Sequence, residues 1–294
     1  MDFEKLEIMR NKKGFIAALD QSGGSSSKTL SLYGIKEDEY KTEEEMFELI
    51  HQMRKRVMKS TYFTSEKIIG VILFERTMNS KIDELYTSDY LWNKGILSFL
   101  KIDKGLMPLE DGVMLMKDNK DLENILQSAK EHNIFGTKMR SVIKQANKIG
   151  IKKVVKQQFD IAKKILEYGL VPIIEPEVDI NCVEKEECEK ILKEEIKKEM
   201  ENLNPNAKIM FKFTIPNIDN FYIYLMDDER VVRIVALSGG YSKDLACVKL
   251  KNNNKMIASF SRALLEGLNV NDSKEEFDNK LKNTIDEIYE ASIT

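Results

Sequence analysis

The chain has 294 residues, 42% hydrophobic and 32% charged, enough apolar material for a substantial core beneath a well-solvated surface. With 46 basic against 49 acidic side chains the net charge is −3, without the basic excess of a nucleic-acid binder. No segment approaches the ~18 apolar residues of a membrane span, and the opening MDFEKLEIMRNKKGF is too charged for a secretory signal. A cytoplasmic protein with neither nucleic-acid nor membrane partners is therefore expected.

Two further counts restrict the chemistry. The cysteines Cys182, Cys188 and Cys247 are odd in number and fit neither a CxxC motif nor a zinc framework; free thiols in a reducing compartment are expected. Only two histidines occur, His51 and His132, in separate polar segments. A catalytic zinc site usually takes two or three histidines near one another, so a histidine-based metal mechanism is disfavoured and no metal or other cofactor is expected.

In chain order, short apolar runs alternate with charged helical stretches. The first run is Gly14–Asp20, followed by the loop QSGGSSS. A helix is predicted over about Thr42–Lys59, acidic early and basic late, with Thr42 and Glu45 as a capping box. The second and third runs are Ile68–Phe74 and Leu97–Asp103. A polar helix near Asp121–His132 leads to the fourth run, Ile134–Arg140. The helix Ile151–Tyr168 ends at Gly169, a C-terminal cap residue. The fifth run is Leu170–Pro176. The charged stretch Glu184–Leu203 reads as a solvated amphipathic helix without a function of its own. The sixth, seventh and eighth runs are Lys208–Thr214, Val231–Ser238 and Met256–Phe260, and a last helix covers about Ser273–Ala291.

Eight runs rich in Val, Ile, Leu and Phe, most followed by helical sequence, are the pattern of parallel strands covered on both faces. The expected fold is an α/β (β/α)₈ TIM barrel forming a single domain over residues 1–294. The alternative, an open doubly wound sheet, normally carries a GxGxxG loop after an early strand, and QSGGSSS lacks that spacing.

Active sites of such barrels gather at the C-terminal ends of the strands. Asp20 ends the first run; Lys101 and Asp103 end the third. Lys138 and Arg140 stand two apart on one face of the fourth, and Glu175, then Glu177, end the fifth. Lys212 lies between Phe211 and Phe213 in the sixth. The phenylalanines should face the helices and Lys212 the barrel interior. There an amine that has lost hydration is suited to attack a carbonyl and form a Schiff base. Alone, Lys212 reads as well as a structural partner of Glu175. Glu175, Glu177 and Asp20 are the candidates for proton transfer, although each taken alone reads better as a structural partner of Lys138, Arg140 or Lys212. Glu175 is flanked by Pro172 and Pro176, which restrain its backbone. Ser238, Gly239, Gly240 and Arg262 follow the seventh and eighth runs, where barrels often hold phosphate. Ser22, Gly23, Gly24 and Ser25, with Lys101, form a weaker second anion site, since such clusters are usually plain loops.

Taken together, GFIAALDQSGGS, GVILFE, LKIDKG, TKMR, LVPIIEPE, MFKFTIP, LSGGYS and SFSRAL resemble the class I, Schiff-base fructose-1,6-bisphosphate aldolases, bacterial branch, over about Gly14–Leu265. Each segment is short, but their order and spacing are specific. The resemblance implies metal-independent, reversible cleavage of fructose 1,6-bisphosphate in glycolysis and gluconeogenesis. It implies an imine on Lys212 and Asp20 taking the hydroxyl proton. Glu175, with Glu177 close by, would serve as acid and base; Lys138 and Arg140 would orient and stabilise charge. One phosphate would lie on Ser238, Gly239 and Arg262, the other on Ser22, Ser25 and Lys101. Barrels of this type commonly form homo-oligomers, though no interface patch can be read here. Three positions depart from the animal pattern: Gln21 replaces a glutamate, Thr214 an asparagine and Ser261 a glycine. The chain also ends in ASIT, without the mobile tail and terminal tyrosine those enzymes use in proton transfer. A carboxylate or bound phosphate is the expected substitute.

Overall fold

The computed structural model describes residues 2–294. Eight parallel strands run in chain order around a barrel: β1 (Phe15–Leu19), β2 (Ile68–Leu73), β3 (Leu97–Lys101), β4 (Gly136–Ile143), β5 (Val171–Val178), β6 (Ile209–Thr214), β7 (Val231–Leu237) and β8 (Met256–Ala258). Each neighbouring pair from β1 to β8 is joined by a parallel ladder. Between β8 and β1 the ring is crossed by a hydrogen bond from Ala18 N–H to Phe260 O, 3.1 Å. The barrel expectation holds, and the strands match the eight apolar runs to within a few residues at each end.

Side-chain parity separates two cores, as alternation along a strand requires. Ile16, Ala18, Phe99, Ile173, Met210 and Val235 fill the barrel interior. Leu19, Leu100, Ile174, Phe211 and Phe213 face outward and pack beneath the helices. On β6 this places Ile209, Phe211 and Phe213 outside and Met210 and Lys212 inside, the orientation predicted for Lys212.

The helices follow their caps. Glu43–Lys59 starts at Thr42, whose hydroxyl accepts from Glu45 N–H in a capping box, and basic residues close the last turn. Lys148–Glu167 begins earlier than the periodicity indicates because Asn147 caps Ile149 and Gly150 N–H. Gly169 just beyond its end has φ +75°. Leu122–Glu131, Lys185–Glu201 and Lys274–Ser292 complete the long predicted helices.

Among the described residues three nine-residue helices fall outside the sequence reading, besides the shorter Glu75–Met78, Thr87–Asn93 and Arg262–Leu265. Phe3–Asn11, in the charged N-terminal segment, inserts Leu6 and Met9 into the barrel interior, where they cap its lower end. The loop QSGGSSS is a loop only at its start, because the helix Gly24–Leu32 begins within it. Lys243–Lys251 follows β7 behind a Ser242 cap. No helix among the described residues is long and apolar enough to cross a membrane.

Candidate active site

The C-terminal ends of the strands open into a cavity of about 460 Å³, within the range of small-molecule sites. Asp20, Ser22, Ser25, Lys101, Lys138, Arg140, Glu175, Glu177, Lys212, Ser238, Gly239 and Arg262 all line it. Gly240 does not: it lies one residue beyond the rim, and its part is in the turn, with φ +118°. Gly239, at φ +62°, is required by conformation and by space, since a Cβ there would sit 2.7 Å from Ile180 Cγ2.

At the floor, two lysines and two carboxylates form one buried cluster. Lys138 Nζ lies 2.7 Å from Asp20 Oδ2 and 2.9 Å from Glu175 Oε2, and Lys212 Nζ lies 3.2 Å from Glu175 Oε1. The contact between Lys138 and Glu175 Oε2 is an ion pair without hydrogen-bond alignment. All four side chains are at most 8% exposed. Such a cluster costs desolvation, which only close pairing of opposite charge offsets.

The charge states follow from that balance. Burial alone would raise the pKa of Asp20, but Lys138, Lys212 and Lys101 outweigh it and hold the carboxyl well below its usual range. Glu175 is lowered likewise, burial being overcome by Lys138, Lys212 and Arg140. Burial would lower Lys138, yet Asp20, Glu175 and Asp103 raise it above the ordinary lysine value. The Glu175 carboxyl is thus held ionised, because two ammonium groups touch it. Consuming the Lys212 charge would remove one of them.

The backbone holds this geometry. The β5–β6 ladder pairs Ile173 with Met210 and Ile174 with Phe211. At the next residue, Glu175 N–H instead donates to Gln158 Oε1 of helix Lys148–Glu167, 2.8 Å away. Across the last turn, Thr214 Oγ1 donates to Val178 O at 2.6 Å. Nearer the rim, Arg140 Nε donates to Glu177. Burial works against the Arg140 charge, but Glu177 and Glu175 raise its pKa.

Two polar ends flank the cluster. On one side Lys101 Nζ donates to Ser22 Oγ at 2.9 Å and pairs with Asp103 Oδ1 at 3.0 Å. Ser25 Oγ donates to Ser22 O and accepts from Ser22 N–H. On the other side stand Ser238, Gly239 and the exposed Arg262.

Asp103, Gln21, Ser259 and Ser261 also line the cavity, beyond the site residues chosen from sequence. Asp103 Oδ2 and Ser259 Oγ are buried without hydrogen-bond partners. Alternation held a signal for both. Asp103 follows Lys101 by two residues, and Ser259 precedes Ser261 by two. No group of three or more His, Cys, Asp or Glu suited to a metal ion occurs among the described residues.

Fold and cluster together define a TIM-barrel enzyme with a buried lysine–carboxylate cluster at the floor of its cleft and polar residues at each end. The family model described as fructose-bisphosphate aldolase class-I matches residues 4–217. A fructose-bisphosphate aldolase class 1 of Clostridium acetobutylicum is 58% identical over 295 aligned positions, covering all of both chains. Among solved structures, a fructose-bisphosphate aldolase of Plasmodium falciparum superposes with a TM-score of 0.74 at 18% identity, over 98% of this chain and 92% of that one. A Corynebacterium glutamicum protein superposes at 0.57 with 11% identity, over 99% and 92%. These two likenesses concern the fold. The chain belongs to the class I fructose-bisphosphate aldolase family.

Proposed function

We propose that this single-domain protein acts in the cytoplasm, in glycolysis and gluconeogenesis, as an aldehyde-lyase. It reversibly cleaves fructose 1,6-bisphosphate into dihydroxyacetone phosphate and glyceraldehyde 3-phosphate. The observation that carries this reading is the Lys212–Glu175–Lys138–Asp20 cluster at the cavity floor, between two polar ends of the cavity. Its partner is the sugar phosphate, and self-association into a homo-oligomer is compatible with the barrel.

The roles follow from position. The Lys212 amine attacks the ketone carbon. Two protons leave the Lys212 nitrogen on the way: Glu175, 3.2 Å away, takes the one shed before the attack and returns it to the departing hydroxyl, while the second goes to the carbonyl oxygen as that hydroxyl forms, so that water leaves and an iminium remains. Asp20, kept ionised by Lys138, accepts the proton of the hydroxyl beside the scissile bond. The electron pair of that bond moves into the iminium, leaving an enamine and a free aldehyde. Reprotonation of the enamine carbon and hydrolysis by water return Lys212 and release the ketone phosphate. Lys138 and Arg140 orient the carboxylates and balance charge, with Glu177 holding Arg140. Ser238, Gly239 and Arg262 take one phosphate; Ser22, Ser25 and Lys101 take the other.

Reduction with borohydride in the presence of dihydroxyacetone phosphate, followed by peptide mass mapping, tests the covalent step. A reduced three-carbon phosphate adduct on Lys212 is expected. Active protein that yields no adduct at Lys212 would overturn the mechanism.

A further inference from the structure

The seam between β8 and β1 is the least extensively paired in the barrel. No ladder joins the two strands, and β8 has only three residues. The hydrogen bond from Ala18 N–H to Phe260 O crosses it. At the mouth of the same seam a side-chain bond follows: Gln21 Nε2 donates to Ser261 Oγ at 2.7 Å.

The Gln21 amide is oriented by its surroundings. Nε2 also faces Ala18 O at 3.4 Å, an atom that can only accept. Oε1 faces Arg54 Nη2 at 3.3 Å, a group that can only donate. Arg54 is 1% exposed. It is held from behind by Thr77 Oγ1 at 2.6 Å and also donates to Gln21 O. Reversing the amide would set N–H against N–H on one side and oxygen against oxygen on the other.

Both partners depart from the animal aldolase pattern, a glutamine in place of a glutamate and a serine in place of a glycine, and the structure brings them into contact. A glycine at 261 would offer no side-chain acceptor. Gln21 lies between Asp20 and Ser22, and Ser261 immediately precedes Arg262. The bond therefore joins the loop carrying one phosphate-holding group to the loop carrying the other.

We propose that Gln21 and Ser261 form a clasp across the β8–β1 seam that fixes the spacing of the two phosphate-binding loops and so favours substrates with two phosphates over those with one. This inference rests on the aldolase reading above. Gln21 and Ser261 are positioning residues, acting through Ser22 and Arg262. A bisphosphate must satisfy both loops at once, so drift at the seam weakens its binding. A monophosphate engages one loop and can follow it.

The test uses the full chain with Ser261→Ala, Gln21→Ala, the double variant and Ser261→Thr. KM for fructose 1,6-bisphosphate should rise about five-fold in Ser261→Ala, the effect of one net hydrogen bond. Its kcat and the KM for fructose 1-phosphate should each move less than about two-fold on the same scale. Ser261→Thr, which keeps the hydroxyl, should restore the unsubstituted values, and the double variant should be no worse than the worse single. If Gln21→Ala fails to fold because Arg54 loses a partner, the Ala/Thr contrast at 261 decides alone. Equal changes for both substrates, additive effects or an unchanged KM would each overturn the clasp. Borohydride trapping separates the two levels of failure. Variants that still form the Lys212 adduct but show no KM contrast refute the clasp only, whereas an unsubstituted protein without the adduct refutes the aldolase mechanism and the clasp with it.

Discussion

Lys138 touches both carboxylates of the floor cluster, so its removal should be felt in two ways. Lys138→Met takes from Asp20 its ion-pair partner and leaves Glu175 only the Lys212 contact, and breaking a buried pair from one side costs about 3–5 kcal/mol. It also removes the charge that orients both proton-transfer groups, and kcat should fall at least about a hundred-fold. The pH dependence has a definite sign. Asp20 and Glu175 have folded pKa values below their ordinary ones. Their contribution to stability is fully present above an unfolded carboxylate value of about 4 and is lost as pH falls through the lower folded values. Lys138 is shifted upward; its contribution is present below about 10.5 and is lost as pH rises through its higher folded value. Urea midpoints should therefore hold between these limits and decline on the acid side, with a shallower acid decline in Lys138→Met. An identical acid decline in both proteins would show that the cluster is not what acid titrates.

The elements carry a different lesson. Strands and long helices were legible because burial and capping are written locally: β6 reads as an apolar run, and Thr42 with Glu45 announces a helix. The helix Phe3–Asn11 was not, because its partner is the barrel interior, and two apolar residues one turn apart, Leu6 and Met9, are too few to mark a face in a charged segment. Gly24–Leu32 was hidden by a Ser- and Gly-rich start that favours loops. The site was legible to the same extent. Alternation set Lys138 and Arg140 on one face and turned Lys212 inward, and Asp20 and Glu175 ended their apolar runs, whereas the Gln21–Ser261 bond spans 240 residues and belongs to tertiary structure alone. The plug helix makes a prediction at this scale. Met9 is fully buried at the end of the barrel opposite the lysine–carboxylate cluster. Met9→Ala should cost about 2–5 kcal/mol, a loss of roughly 4–20 °C in Tm for a chain of this size, while kcat and KM of the folded protein stay unchanged. A shifted KM at constant folded fraction would mean that the plug communicates with the mouth.

For the molecule as a whole, charge is partitioned rather than uniform. The net charge is −3, yet the cavity is lined by Lys28, Lys101, Lys138, Arg140, Lys212 and Arg262 against Asp20, Asp103, Glu175 and Glu177. Six cations against four carboxylates leave two positive charges in excess, concentrated in a cleft with low-dielectric walls that focus their field. The floor charges compensate one another at close range, as the short Lys138 and Lys212 contacts require. The excess that an approaching substrate senses therefore lies nearer the rim, where Lys28 and Arg262 are exposed. Salt screens exposed charge over about 8 Å at physiological ionic strength and leave buried pairs largely untouched. Raising the salt concentration should therefore increase KM for a bisphosphate with little change in kcat, and a monophosphate should show a smaller increase. Arg262→Ala should raise KM at low salt and flatten its salt dependence, because the removed charge is one that salt already screens. Steady-state kinetics from about 20 to 300 mM salt would measure both slopes. Equal slopes for Arg262→Ala and the unsubstituted protein would place the electrostatic attraction on the buried cluster instead of the rim.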